Sequence, residues 1–347
     1  MELGVYTFGE LLSDPNTGRP TSPQQRLKDI VAYARLADEA GLDVFAVGEH
    51  HRLDMAISAT PVVLAAIGAV TKRIKLDSAV TILSTSDPVR VFEDFATLDL
   101  LSGERAELIV GRGAFVESFP LFGYDTADYN ELFPEKLELL LKLNQSERVT
   151  WRGRFRTPLQ DAQISPRPTR PLPIWVGVGG TPESAVRAGQ LGLPMMLAII
   201  GGATPRFRPL VELYRRAGQA AGRPPAQLQT GVSSHFHVAP TSQAALEGFY
   251  PHYAHYFGEL AKDRGPGWQV TRPSYDQLAS LEGGLMVGSP QQVIDKLLFQ
   301  HQLFGHQRFL GQIDIGGLPF AKVAEAIELF ATQIAPVVRR ETAQAAT

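Results

Sequence analysis

Short apolar segments alternate with amphipathic helical segments along most of the chain. In residues 22–41, apolar side chains recur three or four positions apart between Leu27 and Ala37, and Ser22 and Gly41 suit the two helix ends. The same pattern predicts further helices at 61–71 (a buried one), 88–103, 130–144, 181–192, about 204–220, 291–305 and 321–340. Apolar runs predict strands at 3–8, 43–48, 75–83, 105–111, 172–178, 194–200, a segment ending at 235–240, and 308–317.

About eight strand–helix units in succession, with strands that are apolar throughout, favour a parallel (β/α)8 TIM barrel. An open, doubly wound sheet is the alternative fold. We expect a single barrel domain over residues 1–340 and a disordered tail at 341–347. A small hairpin is predicted at 149–158, turning on Arg152 and Gly153.

One stretch, residues 241–285, interrupts the alternation and is dense in aromatic residues, from Phe249 to Phe257. We interpret it as an insertion before the last strand–helix units, with one or two helices of its own. On the C-terminal face of a barrel, such a segment would form a lid or a pocket wall. Its alternative role is a packing or dimer element.

The composition is that of a soluble globular protein: 44% hydrophobic, 20% charged and a net charge of −3 over 347 residues. Because the charge is near neutral and no basic tract is present, we expect neither nucleic acid nor a membrane surface as a partner. The absence of cysteine excludes disulfides and thiolate nucleophiles. The N-terminus resembles no signal peptide, so we expect a cytoplasmic protein.

The stretch GEHH, residues 48–51, follows the second predicted strand, where reactive groups of a parallel barrel lie. Side chains alternate along a strand, so His50 and His51 should point to different sides. An imidazole at the barrel mouth can donate a hydrogen bond or move a proton near neutral pH. Alternatively, the loop backbone satisfies both rings. We expect no metal site, because no carboxylate cluster accompanies the histidines.

Two further loops suggest an anion site. Arg112 lies between Gly111 and Gly113 after the fourth strand, where a guanidinium can bind phosphate. After the fifth strand, GVGGTPESA leads into a helix at Thr181, and a glycine-rich loop before a helix N-terminus favours an anion. The loop matches neither a Walker A sequence nor GxGxxG. A plain tight turn is the alternative.

In this order, EHH, LSTSDPVRVFEDFATLDLLSGERAELIVGRG, PIWVGVGGTPESA, GSPQQVIDKL and DIGGLPFAKVAEAIELFA resemble the bacterial luciferase-like flavin-dependent monooxygenases. The resemblance covers about residues 3 to 338 and is weakest in the insertion. It implies a barrel that binds reduced FMN, supplied by a separate flavin reductase. The flavin would react with O2 to give a C4a-peroxide that oxygenates a small organic substrate. Members of this family commonly form homodimers.

The resemblance also implies roles for single residues. His50 matches the catalytic histidine, and Arg112 matches the arginine that binds the FMN phosphate. The other implied flavin-binding residues are Gly179, Gly180 and Thr181 in the phosphate loop, Ala79 and Val80 at a non-proline cis peptide under the flavin ring, and Thr7 and Phe8 at the end of the first strand.

Departures from the pattern leave other readings open. Luciferases have a cysteine where this chain has Gly111 and a histidine where it has Asp87, so light emission is not implied. Relatives in the same family use the deazaflavin F420 and transfer hydride without oxygen, although EHH and GRG are more similar to the FMN branch. A non-catalytic flavin-binding subunit is the third possibility.

Overall fold

Parallel strands close into a barrel in the structure, a computed structural model that describes residues 1–344. The strands are β1 (Glu2–Thr7), β2 (Val44–Val47), β3 (Lys75–Ile82), β4 (Leu108–Gly111), β5 (Arg148–Trp151), β6 (Leu159–Gln163), β7 (Ile174–Val178), β8 (Met195–Ile199), β9 (Thr230–Val238), β10 (Met286–Gly288) and β11 (Arg308–Gln312). The barrel order is β9-β11-β1-β2-β3-β4-β7-β8, and a β8–β9 pairing closes it. The predicted (β/α)8 TIM barrel is therefore confirmed, and the open sheet is not formed.

The remaining strands lie outside the barrel proper. β5 and β6 form the predicted hairpin as an antiparallel pair, and β10 extends the edge of β9. Helices fill the connections: α1 (Pro23–Ala40), α2 (Thr60–Val70), α3 (Pro88–Ser102), α4 (Ser118–Leu121), α5 (Tyr129–Gln145), α6 (Pro182–Leu191), α7 (Arg208–Ala220), α8 (Ser242–Arg264), α9 (Arg272–Ala279), α10 (Pro290–Phe304), α11 (Phe320–Leu329) and α12 (Ala335–Gln344).

Local sequence sets the helix ends. Ser22 accepts a hydrogen bond from the backbone N–H of Gln25, and Pro23 occupies the first turn of α1, where its missing N–H costs nothing. Gly41 ends the helix at φ 90°, a left-handed conformation that glycine adopts without strain. α1 thereby returns the chain to the start of β2.

The barrel strands separate two apolar layers. The outer layer lies between strands and helices, and the inner layer fills the barrel. The buried inner residues are Tyr6, Val44, Ala46, Ile109, Trp175, Met196 and Leu310. Because both faces of a parallel strand are buried, the strands are apolar throughout rather than alternating.

An ionic network closes the N-terminal end of the barrel. The guanidinium of Arg308, 2% exposed, contacts Glu107 at 2.7 Å, Glu2 at 2.6 Å and Asp77 at 3.3 Å. Lys75 bridges Glu2 and Glu107 at 2.6 and 2.9 Å. The barrel interior is therefore packed and plugged at this end, and its space lies at the other.

The insertion at 241–285 contains α8, a 3-10 turn at Pro266–Trp268, and α9, which confirms that it has helices of its own. It leaves the barrel after β9 and returns to it at β10. Phe249 and Tyr253 of α8 are buried, which accounts for part of the aromatic density.

Two expectations about the helical layer are corrected. The helix predicted as buried at 61–71 is α2, but its outer face is open, with Val62 69% and Val70 46% exposed. At the C-terminus, α12 reaches Gln344, so residues 341–344 are helical rather than part of a tail. The rest of that predicted tail, residues 345–347, lies outside the described residues. No helix in residues 1–344 is long and apolar enough to cross a membrane.

Candidate active site

A cavity of about 810 Å³ opens at the C-terminal ends of the barrel strands. All eight barrel strands, or the loops that follow them, contribute to its walls. The insertion adds Tyr256, Phe257, Leu260, Arg264 and Trp268 along one side. Catalytic groups of parallel barrels lie at this end, so the cavity is the candidate active site.

His50 and His51 point to different sides, as the alternation along β2 predicts. His50 borders the cavity and its ring lies edge-on to Phe8 and Phe115, with ring centroids 4.8 and 5.0 Å away. His51 turns away from the cavity and its Nε2 lies 2.8 Å from Oε1 of Glu49. The other carboxylate oxygen of Glu49 accepts a hydrogen bond from the backbone N–H of Ile82 at 3.0 Å. His51 therefore helps to hold the loop, while His50 is free to act.

Glu117 is the acidic neighbour of His50. Its Oε1 lies 3.8 Å from Nδ1 of His50, and both atoms are buried without a hydrogen-bond partner among the described residues. Burial by itself would raise the pKa of Glu117, but the neighbouring His50 and, more weakly, Arg52 outweigh it and hold the pKa below its usual range. The carboxylate is therefore ionised and can stabilise a protonated His50. Sequence reasoning missed this residue.

Arg112, in the loop after β4, and Thr181, in the loop after β7, meet at another part of the wall. Nη2 of Arg112 donates to the hydroxyl of Thr181 at 2.8 Å, and Nη1 donates to Asn130 at 3.2 Å. The guanidinium also lies 5.0 Å from the ring centroid of Tyr129. Two strand ends that are 69 residues apart in sequence thus contribute to one positively charged corner.

The loop at Gly179 and Gly180 fits an anion such as a phosphate. A Cβ added to either glycine would meet no atom within 4 Å, so the loop borders open space. Thr181 is the N-cap of α6, but no side chain caps that helix. Burial and then the charge of Arg112 lower the pKa of Arg187 on α6. The uncapped helix end and the guanidinium of Arg112 thus provide a positive field that suits a phosphate.

The peptide bond between Ala79 and Val80 is cis, which confirms the expectation for this position. Both residues border the cavity, and Val80 projects into the barrel. A Cβ on Gly111 would lie only 2.8 Å from Cγ2 of Val80, and one on Gly177 would lie 3.0 Å from Cγ1. Glycine at these two positions therefore makes room for Val80, and the side chain of Val80 occupies the space that a cysteine at position 111 would need.

The expectation that Thr7 lines the flavin side is corrected. Its side chain is fully buried outside the cavity, where its hydroxyl donates to Asp314 at 2.7 Å. Phe8, just after β1, borders the cavity as expected, and Tyr6 borders it as well. Burial raises the pKa of Asp314 to about 6, although Arg26 at 3.3 Å opposes the shift.

His235 was also missed as a site residue. It projects from β9 into the cavity and is 1% exposed, with its ring against Tyr253, Tyr256 and Phe257. Burial lowers its pKa to about 3, so the ring is neutral. The HFH alternation, which places His235 and His237 on one strand face, was the available signal.

Charge is distributed unevenly around the cavity. Three arginines border it, Arg112, Arg206 and Arg264. Among the lining residues within 1–344, Glu49 is the only carboxylate. The arrangement can bind an anion at the rim and hold an uncharged group further in. Within residues 1–344, no group of three or more histidine, aspartate or glutamate side chains could hold a metal ion.

Known proteins resemble this chain over most of its length. A family model described as luciferase-like monooxygenase matches residues 1–307. The F420-dependent glucose-6-phosphate dehydrogenase of Amycolatopsis mediterranei is 33% identical over 177 residues, which are 48% of this chain and 51% of that enzyme. The chain thus spans about half the length of that relative.

Two further relatives cover more of the chain. The N-acetyl-S-alkylcysteine monooxygenase of Bacillus subtilis is 30% identical over 241 residues, 68% of this chain and 67% of that enzyme. The crystal structure of monooxygenase RslO1 from Streptomyces bottropensis superimposes with a TM-score of 0.82 at 25% identity, covering 97% of this chain and 99% of that one. Since the family model matches residues 1–307 of 347, the chain belongs to the luciferase-like monooxygenase family.

Proposed function

We propose that this chain is an oxidoreductase that uses reduced FMN and O2 to oxygenate a small organic substrate. The observation that carries the proposal is a cavity bordered both by the positively charged corner at Arg112 and Thr181 and by His50, which lies beside Glu117. An extended cofactor with an anionic tail and a reactive ring needs both features. When bound, reduced FMN supplies two electrons to O2, so that one oxygen atom enters the substrate and the other leaves as water.

Arg112, Thr181 and the loop at Gly179 and Gly180 would hold the phosphate. Arg112 is kept in place by Thr181 and Asn130 before any ligand arrives, so little ordering cost is added on binding. Ala79 and Val80 would support the ring from the barrel side, because Val80 fills the space above Gly111 and Gly177. Thr7 has no part in this arrangement.

His50 would hold or move a proton at the reactive edge. Its buried Nδ1 faces the ionised carboxylate of Glu117 at 3.8 Å, so the imidazole can take up a proton without leaving an isolated buried charge. Nε2 would then donate a hydrogen bond to a developing negative charge on oxygen. Phe8 and Phe115 fix the ring plane for that task.

Reduced FMN would come from a separate flavin reductase. This part of the proposal is supported by the two anion-binding loops, neither of which matches the GxGxxG pattern of a nicotinamide site. The insertion would keep water from the reacting groups, since Tyr256, Phe257 and Trp268 border the cavity.

A second candidate function is hydride transfer with F420 on the same barrel. The relative from Amycolatopsis mediterranei favours it, because its name states dependence on F420. The carboxylate beside His50 would suit either reaction. Arg112 favours FMN, because a bidentate guanidinium matches a terminal phosphate.

Cofactor titration tests the proposal. We expect FMN to bind the wild-type protein more tightly than F420, and Arg112→Ala to weaken FMN binding by roughly tenfold to a hundredfold, the value of a charged hydrogen bond. Riboflavin, which lacks the phosphate, is the matched control, and its affinity should not change in the variant. Tighter binding of F420 would favour hydride transfer, and an unaltered FMN titration would show that the phosphate lies elsewhere.

We also propose that the chain forms a homodimer through α2 and the end of α3. α2 contains no charged residue, and its exposed Val62 and Val70 form an apolar face. Leu101, at the end of α3, is 75% exposed. It lies next to the apolar face of α2, because Gly68 of α2 packs against Ser102, the neighbour of Leu101 in sequence. Exposed apolar patches of this kind are typical of interfaces.

A further inference from the structure

His235 has a ring nitrogen to which the proposed function assigns no role. Along β9, Gly231, Ser233 and His235 face the barrel interior, and His235 pairs in register with Gln312 of β11, which itself pairs with Tyr6. The imidazole therefore lies in the upper layer of the interior, beneath α8. Its Nδ1 lies 3.3 Å from the hydroxyl of Tyr253.

The hydroxyl of Tyr253 decides which nitrogen of His235 carries the proton. Within residues 1–344, Nδ1 of His235 is the only hydrogen-bond partner of this buried hydroxyl. If Nδ1 carried the proton, the hydroxyl hydrogen of Tyr253 would be buried without an acceptor, which costs free energy. Both groups are satisfied when the hydroxyl of Tyr253 donates to Nδ1. The ring proton of His235 is then on Nε2.

His235 borders the cavity, and its Nε2 has no hydrogen-bond partner within residues 1–344. The rings packed against the imidazole are those of Tyr253, Tyr256 and Phe257, whereas Arg264 of the same helix is engaged by the carbonyl of Ala114 and the rings of Phe115 and Trp268. A carboxylate placed among the three aromatic rings would lose its hydration, which is strongly unfavourable. An uncharged oxygen on an apolar or aromatic molecule matches both the donor and its surroundings.

We propose that His235 is a specificity-determining residue, whose Nε2–H donates a hydrogen bond to an uncharged oxygen of the substrate. The inference rests on the proposed function, because it assumes that this cavity is the substrate pocket. The phosphate corner at Arg112 and the donor at His235 then divide the cavity into an end for an anion and an end for a neutral polar group.

The test uses acetophenone and ethylbenzene as probes, because they differ chiefly in one carbonyl oxygen. Binding is followed without flavin, by the fluorescence of Trp268 on the cavity wall and by ¹⁵N spectra of histidine-labelled protein. We expect the wild-type protein to bind acetophenone roughly 3- to 10-fold more tightly than ethylbenzene, the value of one neutral hydrogen bond. The ¹⁵N spectra should show His235 as the Nε2–H tautomer.

Three variants complete the test. His235→Leu should abolish the preference for acetophenone, and His235→Gln, which keeps a donor, should retain part of it. His237→Leu is the matched control, because His237 lies on the same strand but stacks on Phe249 outside the cavity lining. Its preference should equal that of the wild type.

The inference is overturned if the wild-type protein shows no preference, if His235→Leu retains it, or if the proton is found on Nδ1. A parallel titration with FMN separates this from failure of the proposed function. If FMN does not bind while the preference depends on His235, the flavin assignment is wrong and the donor site stands.

Discussion

His50 and His51 are neighbours in sequence, yet they contact entirely different groups. His50 faces the cavity between Phe8 and Phe115, whereas His51 lies outside the cavity lining and contacts Glu49. The difference follows from alternation at the end of β2, where Val44, Ala46 and then His50 share the inner face. A single position thus decides which imidazole can take part in chemistry.

We expect His50→Ala to bind FMN with an affinity within about twofold of wild type, because the residues proposed to hold the phosphate lie elsewhere. After the reduced complex is mixed with O2, oxidised FMN should reappear at least about tenfold faster, with release of H2O2. The reason is that a positioned acid–base group commonly contributes a hundredfold or more to a reaction. Stopped-flow absorbance and a peroxide assay measure both quantities.

His51→Gln is the control for this experiment, since it changes the adjacent imidazole without altering the cavity lining. Its reoxidation trace should resemble that of the wild type. If His50→Ala also gave the wild-type trace, His50 would have no role in controlling the reaction with oxygen.

At the scale of elements, the end of α8 is tied to two loops of the barrel. Asp263 contacts Arg52 in the loop after β2 at 2.6 Å, and Arg264 donates to the carbonyl of Ala114 in the loop after β4 at 2.9 Å. The guanidinium of Arg264 also lies 4.1 Å from the ring centroid of Phe115 and 4.9 Å from that of Trp268. These contacts hold the insertion over the cavity.

We expect Asp263→Ala to increase the exposure of bound FMN to iodide about two- to fivefold, as measured by fluorescence quenching. Exposed ion pairs contribute up to about 1 kcal/mol, which corresponds to such a factor in an opening equilibrium. Glu259→Ala is the matched control, because the ion pair of Glu259 within residues 1–344 is with Lys262 of the same helix. Equal quenching in all three proteins would mean that the Arg52 contact does not hold the cover.

The barrel strands could be predicted from sequence. The face of the strand on which each side chain lies could not always be predicted. Apolar runs identify a buried strand, and polar residues directly after it mark the catalytic end, which is how His50 and Arg112 were found. Thr7 was misplaced because both faces of β1 are buried, so no polar alternation reveals which residues point inward. The inward faces are occupied by Tyr6 and Phe8.

Residues that packing alone brings to the site were also beyond prediction. Glu117 reaches His50 from an irregular loop, 67 positions further along the chain, and nothing in FVES indicates that pairing. His235 comes from a strand whose nine residues are all buried, where the alternation of His235 and His237 gives only a weak signal. In contrast, the position of the Ala79–Val80 peptide was predicted from family resemblance.

For the whole molecule, the apolar face of α2 and α3 predicts the oligomeric state. We expect the wild-type protein to sediment as a dimer and Leu101→Glu to shift it toward a monomer, because a buried, unpaired carboxylate is unfavourable at an interface. Analytical ultracentrifugation measures the change. Leu281→Glu is the control, since Leu281 is 50% exposed but lies in the insertion. A monomeric wild-type protein would contradict the proposal.

The plug around Arg308 at the foot of the barrel has a kinetic consequence. With that end sealed and the inner residues packed above it, the mouth beneath α8 is the route by which ligands reach His50. If the cofactor ring lies deeper than the substrate, the two must arrive in sequence, and the last to enter is the first to leave. A barrel that is closed at one end thus enforces an ordered turnover through its shape.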